Sequence, residues 1–576
     1  MSATTNASET QPVLLPQPRA AAFSEHTVDD REPMVSRDRT MHPEGYRLRI
    51  GSAMVDLTAA DDAGEAYGRA TLAQLARAYD GKLPVGTVDD WPDLSVRAVM
   101  LDISRDKVPS IETLHALIDR LAGWKVNQVQ LYTEHTFAFR DHEEVWRDAS
   151  PLTAEEIRGL DAYCRERHVE LVPNQNCLGH AERWLKHERY RDLALAPDGF
   201  VAYGEHRSPS TLDPRNPDAL ELARSWLAEL LPNFTSRRVN VGLDEPWELP
   251  ADQIDDYISW VERLRAFPEV ADHEMLMWGD ILGARPELVG RIPAGVTICE
   301  WGYDADFDFA ARAAVLASAD RPFWLCPGTS SWLSILGRFT NMVGNCSAAA
   351  DAALEHGGIG ILNTDWGDKG HLQYLPVSEP GLAYGAAVSW CIDSNRDLDV
   401  ATALDLHCFD DPAGELGAAL GRLGDAHLEL TPQVGNVASS VLHLYYPQLQ
   451  IGRGPLAGAH ATEYAAIEAT LADVNDRLDR ARPRRNDGAL VIAELRNSMA
   501  LVKILCRDAR ARLDGDGTLA SIPEGTRQTL ARDLDAVIAA HETLWHARNR
   551  PGGFVDSVAH LTRLRRAYAT GTVEAI

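Results

Sequence analysis

Between about residues 95 and 380, short β-branched runs alternate with stretches whose apolar positions recur every three or four residues. The runs are Ala98–Ile103, Gln128–Tyr132, Val169–Pro173, Val239–Gly242, Met275–Trp278, Val296–Cys299, Phe323–Leu325 and Gly358–Leu362. In the first crossover Ser110 is placed to cap a helix with Leu114, Leu117, Ile118 and Leu121 on one face, before a strand resumes at Val129. Eight strands separated by helices is the count of a (β/α)8 TIM barrel, an α/β fold. A doubly wound open sheet would use fewer strands and a Gly-rich first turn, which the chain lacks.

The pattern changes on both sides of this core. Residues 1–38 are rich in Ser, Thr, Pro and charge without periodicity, which predicts a disordered tail. YRLRIGSAMVDL (46–57) alternates like a strand and 63–79 reads as a helix, so 39–92 forms a small α/β (zincin-like) domain, joined at Trp91-Pro92-Asp93 to a barrel over 93–400. From 401 to 576 the strand signals stop. Segments such as IAELRNSMALVKILCRDARARL (492–513) predict a helical C-terminal domain, for which bracing the barrel, covering its pocket and forming a homodimer interface all stay open.

Composition narrows the class. The chain has 576 residues, 45% of them hydrophobic, and 56 Lys+Arg against 85 Asp+Glu give a formal charge of −29. That excess of acid argues against nucleic acid and against an anionic membrane as partners, since both need clustered cations. The eight cysteines form no CxxC pair, and no Cys/His cluster has metal-ligand spacing, so buried thiols are expected, with no metal and no cofactor. The first residues show no basic stretch followed by an apolar core, and no window approaches a membrane span, which makes the cytoplasm the expected compartment.

In a barrel of this kind chemistry gathers at the C-terminal strand ends. In order these carry Asp102 and Arg105; Glu134 and His135; Asn174, Gln175 and His180; Asp244 and Glu245; Trp278 and Asp280; Glu300 and Trp301; Trp332; and Asp365, Trp366 and Asp368. Carboxylates, an arginine and several tryptophans suit a sugar, whose C–H faces stack on rings while its hydroxyls bond to charged groups. The adjacent pair Asp244–Glu245 stands out. Strand neighbours point to opposite faces, so both can serve one site only where the strand breaks, as Pro246 requires. Crowding two carboxylates raises one pKa and supplies a general acid near neutral pH.

These motifs together resemble the family 20 glycoside hydrolases, exo-acting β-N-acetylhexosaminidases. The resemblance runs over about 60–370, through AGEAYGRATLAQL, MLDISRDKVPSIETLHALIDRLAGWKVNQVQLY, VPNQNCLGHAERWL, VNVGLDE, MWGD, ICEWG and DWGD. The wording YTEHTF and GHAERWLKH is most similar to the intracellular hexosaminidase D-like branch. The resemblance implies a small oligosaccharide or glycoconjugate substrate and retaining, substrate-assisted catalysis. Glu245 would be the acid and then the base, and Asp244 would orient the substrate's 2-acetamido group as it closes to an oxazolinium ion. Arg105 would bind ring hydroxyls, His180 would sit beside the pair with Glu134 steadying it, and Trp278, Trp301 and Trp366 would wall the pocket. Asp368 would stand for a family glutamate.

The chain departs from the family at strand 7, where CPGTSSWLS places Trp332 and Ser334 in the region of a family Tyr and Asp. An indole can still donate one hydrogen bond, yet it reshapes an acetamido pocket and leaves the choice between GlcNAc, GalNAc and a modified sugar open. Two other readings remain: a non-catalytic sugar-binding barrel, and a retaining glycosidase in which Glu300 or Asp280 is the nucleophile.

Overall fold

In the computed structural model, residues 12–202 and 205–573 are described. Strands β1 (Ala20–Asp29), β2 (Met34–Arg37), β3 (Tyr46–Ile50), β4 (Val55–Ala59) and β5 (Lys82–Asp90) make an N-terminal sheet in the order β1-β5-β3-β4-β2. Helix Asp62–Ala78 covers one face, where it buries Tyr67, Leu72 and Leu75. The stretch expected as one strand turns at Gly51, whose N–H donates to the Met54 carbonyl, and so becomes the antiparallel β3–β4 pair.

The expected tail is corrected here. Its residues 1–11 lie outside the described residues, but 20–29 and 34–37 are strands at the two edges of the sheet. An edge strand needs little apolar alternation, because one side of its ladder and much of its surface face water. β2 is exposed at all four positions and β1 at most of its ten. Polar composition therefore hid both.

The barrel follows. Strands β6 (Val96–Asp102), β7 (Gln128–Thr133) and β8 (Glu170–Gln175) precede an outlying hairpin of β9 (Phe200–Ala202) and β10 (Glu205–Arg207). Then come β11 (Arg238–Asn240), β12 (Glu274–Trp278), β13 (Val296–Trp301), β14 (Phe323–Cys326) and β15 (Gly360–Asp365), and the parallel ring closes between β15 and β6. Each of the eight runs read from the pattern is a barrel strand. Ser110 caps helix Ile111–Gly123 by accepting from Thr113 N–H, and Leu114, Leu117, Ile118 and Leu121 are its buried face.

Two apolar zones hold the barrel. The outer one packs helices onto strands; the inner one contains Met100, Tyr132, Leu276, Trp278, Tyr303, Trp332 and Trp366. Among the inward-facing groups, Asn174 and Asn240 both donate to Gln130 Oε1 at 3.0 and 3.1 Å, so these buried amides are paired across three strands. The C-terminal region is helical, with Leu416–Asp425, Ala461–Arg480, Gly488–Leu513, Glu524–Arg548 and Ala559–Thr570 as its longer members. All eight cysteines are buried free thiols.

Candidate active site

At the end of β11 the backbone departs sharply from regular strand. Gly242, Leu243 and Glu245 have φ of 70°, 76° and 47° in GLDE, a left-handed conformation that costs a Leu or a Glu about 1 kcal/mol or more. Asn176 stabilises it: its Oδ1 accepts from Leu243 N–H at 3.2 Å, and its Nδ2 donates to Asp244 Oδ1 at 2.7 Å. A Cβ at Gly242 would fall 2.6 Å from the Asn176 amide carbon, so glycine is required at that contact. The break turns both carboxylates the same way. His180 Nε2 lies 3.2 Å from Asp244 Oδ2 and 3.5 Å from Glu245 Oε2. Gly179, just before it, lets the backbone run against the Asp244 carbonyl.

The two neighbours are driven apart in ionisation. Burial, then the Asp244 charge, pushes the Glu245 carboxyl up to about 7. Asp244 feels the same burial, but His180, Arg105 and the Asn176 amide together bring it below the ordinary carboxylate value. Burial works to lower His180 and Asp244 to raise it, with a net upward direction. Arg105 Nη2 stands 3.3 Å from His180 Nδ1. Nε2 carries a proton toward the two acids both in the neutral tautomer that lets Nδ1 accept from Arg105 and in the charged ring that the two acids favour.

Arg105 is fixed on every side. Asp102 accepts from its backbone N–H at 3.0 Å and from Nη1 at 3.2 Å, Glu134 Oε1 lies 3.4 Å from Nε, and the guanidinium sits 4.9 and 4.8 Å from the Tyr132 and Trp366 rings. Glu134 thus holds Arg105 and, at 3.0 Å, the Tyr132 hydroxyl, rather than bracing His180 by contact. Residues two apart on one strand share a face, which explains the Tyr132–Glu134 pairing. Burial raises Glu134 to about 7. Asp368 is partly buried in the same charge environment, with burial raising it and Arg105 lowering it.

The aromatic residues divide. Trp301 is partly exposed and stacks on Tyr303 at 5.2 Å and 16°. Trp366 is 6% exposed, meets Tyr132 edge-on at 4.8 Å, and donates its indole N–H to the Tyr303 hydroxyl at 2.7 Å. Trp278 is fully buried 5.9 Å from Trp366 and forms floor rather than wall. Trp332 is 1% exposed, and its N–H goes to Asn436 Oδ1, a residue of the C-terminal region. The indole donor expected at strand 7 is therefore already engaged. Ser334 is engaged too, accepting from Gly337 N–H at 2.9 Å and donating to the Ser331 carbonyl.

Asn176, Tyr132 and Tyr303 are the members that sequence reasoning passed over. Asn176 and Tyr303 sit beside motifs already singled out, and their polar atoms look toward the acids or the pocket aromatics only once the barrel closes. Of the two rival nucleophiles, Glu300 packs against Gly279 and Gly283 with Arg312 at 3.7 Å, and Asp280 accepts the Glu245 N–H at 3.1 Å. His180, Asp244 and Glu245 place donor atoms within 4.8 Å of one another, the one such set among the described residues with the ligands for a cation. With Arg105 against His180 and Glu245 poised near neutrality, the set suits acid–base work better than a metal.

Comparison with known proteins gives the family. Residues 4–91 match the family profile "Glycosyl hydrolase family 20, domain 2", and 95–302 match "Glycosyl hydrolase family 20, catalytic domain". A beta-hexosaminidase of Akkermansia muciniphila is 26% identical over 261 residues, 41% of this chain and 52% of that protein. Hexosaminidase D of Bos taurus is 26% identical over 38% of this chain and 66% of its own length. A lacto-N-biosidase of Bifidobacterium bifidum is 25% identical over 36% of this chain, a match spanning 18% of that protein. Among solved structures, a beta-N-acetylhexosaminidase shares the fold at TM-score 0.56 and 19% identity, over 69% of this chain and 95% of that one. The one from Streptomyces coelicolor A3(2) does so at 0.54 and 20%, over 71% and 96%. With both family domains matched in order and the eight-stranded barrel in place, the chain belongs to glycosyl hydrolase family 20.

Proposed function

We propose that this chain is an exo-β-N-acetylhexosaminidase that removes terminal β-linked GlcNAc or GalNAc from small oligosaccharides or glycoconjugates. The observation that carries the reading is the split ionisation of adjacent carboxylates around one histidine: Asp244 held low, Glu245 raised to about 7. A group at that value is protonated often enough to act as an acid and deprotonated often enough to act next as a base. In the first step Glu245 protonates the glycosidic oxygen, and the substrate's own acetamido oxygen attacks the anomeric carbon from the other face. The charged Asp244 orients the acetamido N–H and stabilises the oxazolinium charge. Glu245 then takes a proton from water as the oxazolinium opens, with net retention. Arg105, gripped by Asp102 and Glu134, binds the hydroxyls at the closed end, and Trp301, Trp366 and Asp368 shape the pocket around the ring.

The cytoplasm fits eight buried, unpaired thiols. Among the described residues no helix is long and apolar enough to cross a membrane. The test is release of p-nitrophenol from the β-GlcNAc and β-GalNAc glycosides, with a thiazoline mimic of the oxazoline as inhibitor. Turnover of either glycoside, competitive inhibition by the thiazoline and loss of turnover in Glu245→Gln support the reading; their ratio names the preferred epimer. Trapping by a 2-deoxy-2-fluoro sugar without thiazoline inhibition would instead favour a carboxylate nucleophile.

A further inference from the structure

Between helices Glu524–Arg548 and Ala559–Thr570 the chain runs through 549–553 and the short helix Phe554–Ser557 along loops at the C-terminal ends of the barrel strands. Asn549 bridges Pro109, and Arg550 N–H donates to the Val108 carbonyl at 2.8 Å, both on the loop after β6. Gly552 N–H donates to Ser150 Oγ at 2.9 Å and Gly553 N–H to the Asp148 carbonyl at 3.1 Å, on the loop after β7. Asp556 pairs at 2.7 Å with Arg183, three residues past His180 on the loop after β8. Ser557 Oγ donates to the Gly370 carbonyl, on the loop after β15 that holds Asp368. Each of these four loops carries one of Arg105, Glu134, His180 and Asp368. The strap touches the loops on the Arg105 side of the pocket, opposite in role to the acid pair on β11.

We infer that residues 549–557 are a positioning element for the sugar pocket, and that Arg183, bridging Asp106 and Asp556, is its principal positioning residue. Arg183 Nη2 lies 2.5 Å from Asp106 Oδ1 and Nη1 lies 2.7 Å from Asp556 Oδ2, so one side chain joins the β6 loop, the β8 loop and the strap. Asp106 immediately follows Arg105 and has φ of 72°, a conformation that a neighbouring group must hold. The strap supplies that group. Gly553, at φ 76°, lies directly on the Asp106 carbonyl, and a Cβ there would collide with that oxygen. The fit therefore requires glycine on one side and a left-handed aspartate on the other. Two glycines and an ion pair are an exacting way to join two surfaces if joining them were the only purpose. What they determine is the placement of Arg105 and Asp368, which bind hydroxyls and do not move protons.

This inference rests on the sugar-binding reading above and predicts a KM effect with kcat spared. Asp556→Ala removes one charge from the bridge, and Gly553→Ala pushes the β6 loop outward. Each is expected to raise KM for the aryl hexosaminide, and Ki for the thiazoline, about tenfold, with kcat within twofold. A merely structural strap would lower the fraction of active protein, and hence apparent kcat, leaving KM and Ki in place. Asp556→Ala should add little in an Arg183→Ala background, because both act through one bridge. Unchanged KM and Ki in both variants, at wild-type melting temperature, overturns the inference. Hydrogen exchange supplies a readout independent of turnover: faster exchange at 104–107 and 367–370 in Asp556→Ala supports positioning, and unchanged exchange there overturns it. A wild type that hydrolyses neither glycoside would count against the sugar reading alone.

Discussion

Two of the buried charge clusters among the described residues differ in their balance of charge. Where the C-terminal helices meet the barrel, Arg485, Arg548 and Arg120 face Glu379, Asp487 and Glu494. Arg548 grips Glu494 through two bonds of 2.7 and 2.9 Å and Asp487 through a third of 2.7 Å, while Glu379 lies 2.7 Å from Arg485 and 3.1 Å from Arg120. Three cations meet three anions. At the strand ends, Arg105 and His180 face Asp102, Glu134, Asp244, Glu245 and Asp368. Burial opposes charge in both places: in the first cluster it still raises Glu494 above the ordinary carboxylate value, while Arg485 and Arg548 bring Asp487 below it. The second leaves its acids short of cations, and Glu134 and Glu245 rise to about 7. Balanced buried charge builds an interface; a deliberate shortage of cations builds acid–base chemistry.

The strongest way to break that contrast is Glu245→Gln, which keeps shape and removes the proton. A fall in kcat/KM of about 10²–10⁴ is expected, without loss of melting temperature. In the wild type, activity should decline as pH rises through about 7, because Glu245 must be protonated to act and its raised pKa places that loss near neutrality. An alkaline limb two or more units higher would show that another group governs it.

Asp244→Asn comes next. It should cost about 10²–10³ in kcat by leaving the oxazolinium charge unopposed. It also sharpens the electrostatic account, because the Asp244 charge is one cause of the raised Glu245 value. Removing it must move the alkaline limb downward, and a limb that stayed put or rose would refute the coupling.

The balanced cluster should respond in the other currency, stability. Arg548→Met leaves buried Glu494 and Asp487 without the cation they share and is expected to cost about 3–5 kcal/mol, read by chemical denaturation, with KM and the pH profile retained. A changed pH profile in that variant would erase the distinction between the clusters.

How far the sequence led follows the same physics. All eight barrel strands were legible because each is buried on both faces and so reads as an apolar, β-branched run, and Asp244 and Glu245 were legible because they end one such run. The edge strands β1 and β2 were not, since exposure let them be polar. Glu134 was read as the support of His180, yet it holds Arg105, a choice made by side-chain reach across two strands. Trp332 kept its place but gave its N–H to Asn436, about a hundred residues away. The strap at 549–557 was invisible for a like reason: nothing local to Gly553 says that Asp106 will lie against it.

The smallest effect tests whether a raised carboxyl must belong to the chemistry. Glu300 is 3% exposed, and burial lifts it to about 8, with Arg312 only partly countering. Its carboxylate packs against Gly279 and Gly283. A carboxyl whose folded value lies above its unfolded value binds more protons in the folded state, so its stabilising contribution is full below the ordinary carboxylate range and is lost as pH rises toward 8. Glu300→Gln mimics the protonated form at every pH. The variant should melt with the wild type at pH 5 and a few degrees above it at pH 9, with kcat/KM unchanged throughout. If it melts below the wild type at pH 9, the charged form is being stabilised by Arg312 rather than penalised. If it loses activity, Glu300 belongs with the catalytic acids despite its packing against Gly279 and Gly283, and an excess of buried acid near the strand ends would by itself mark function.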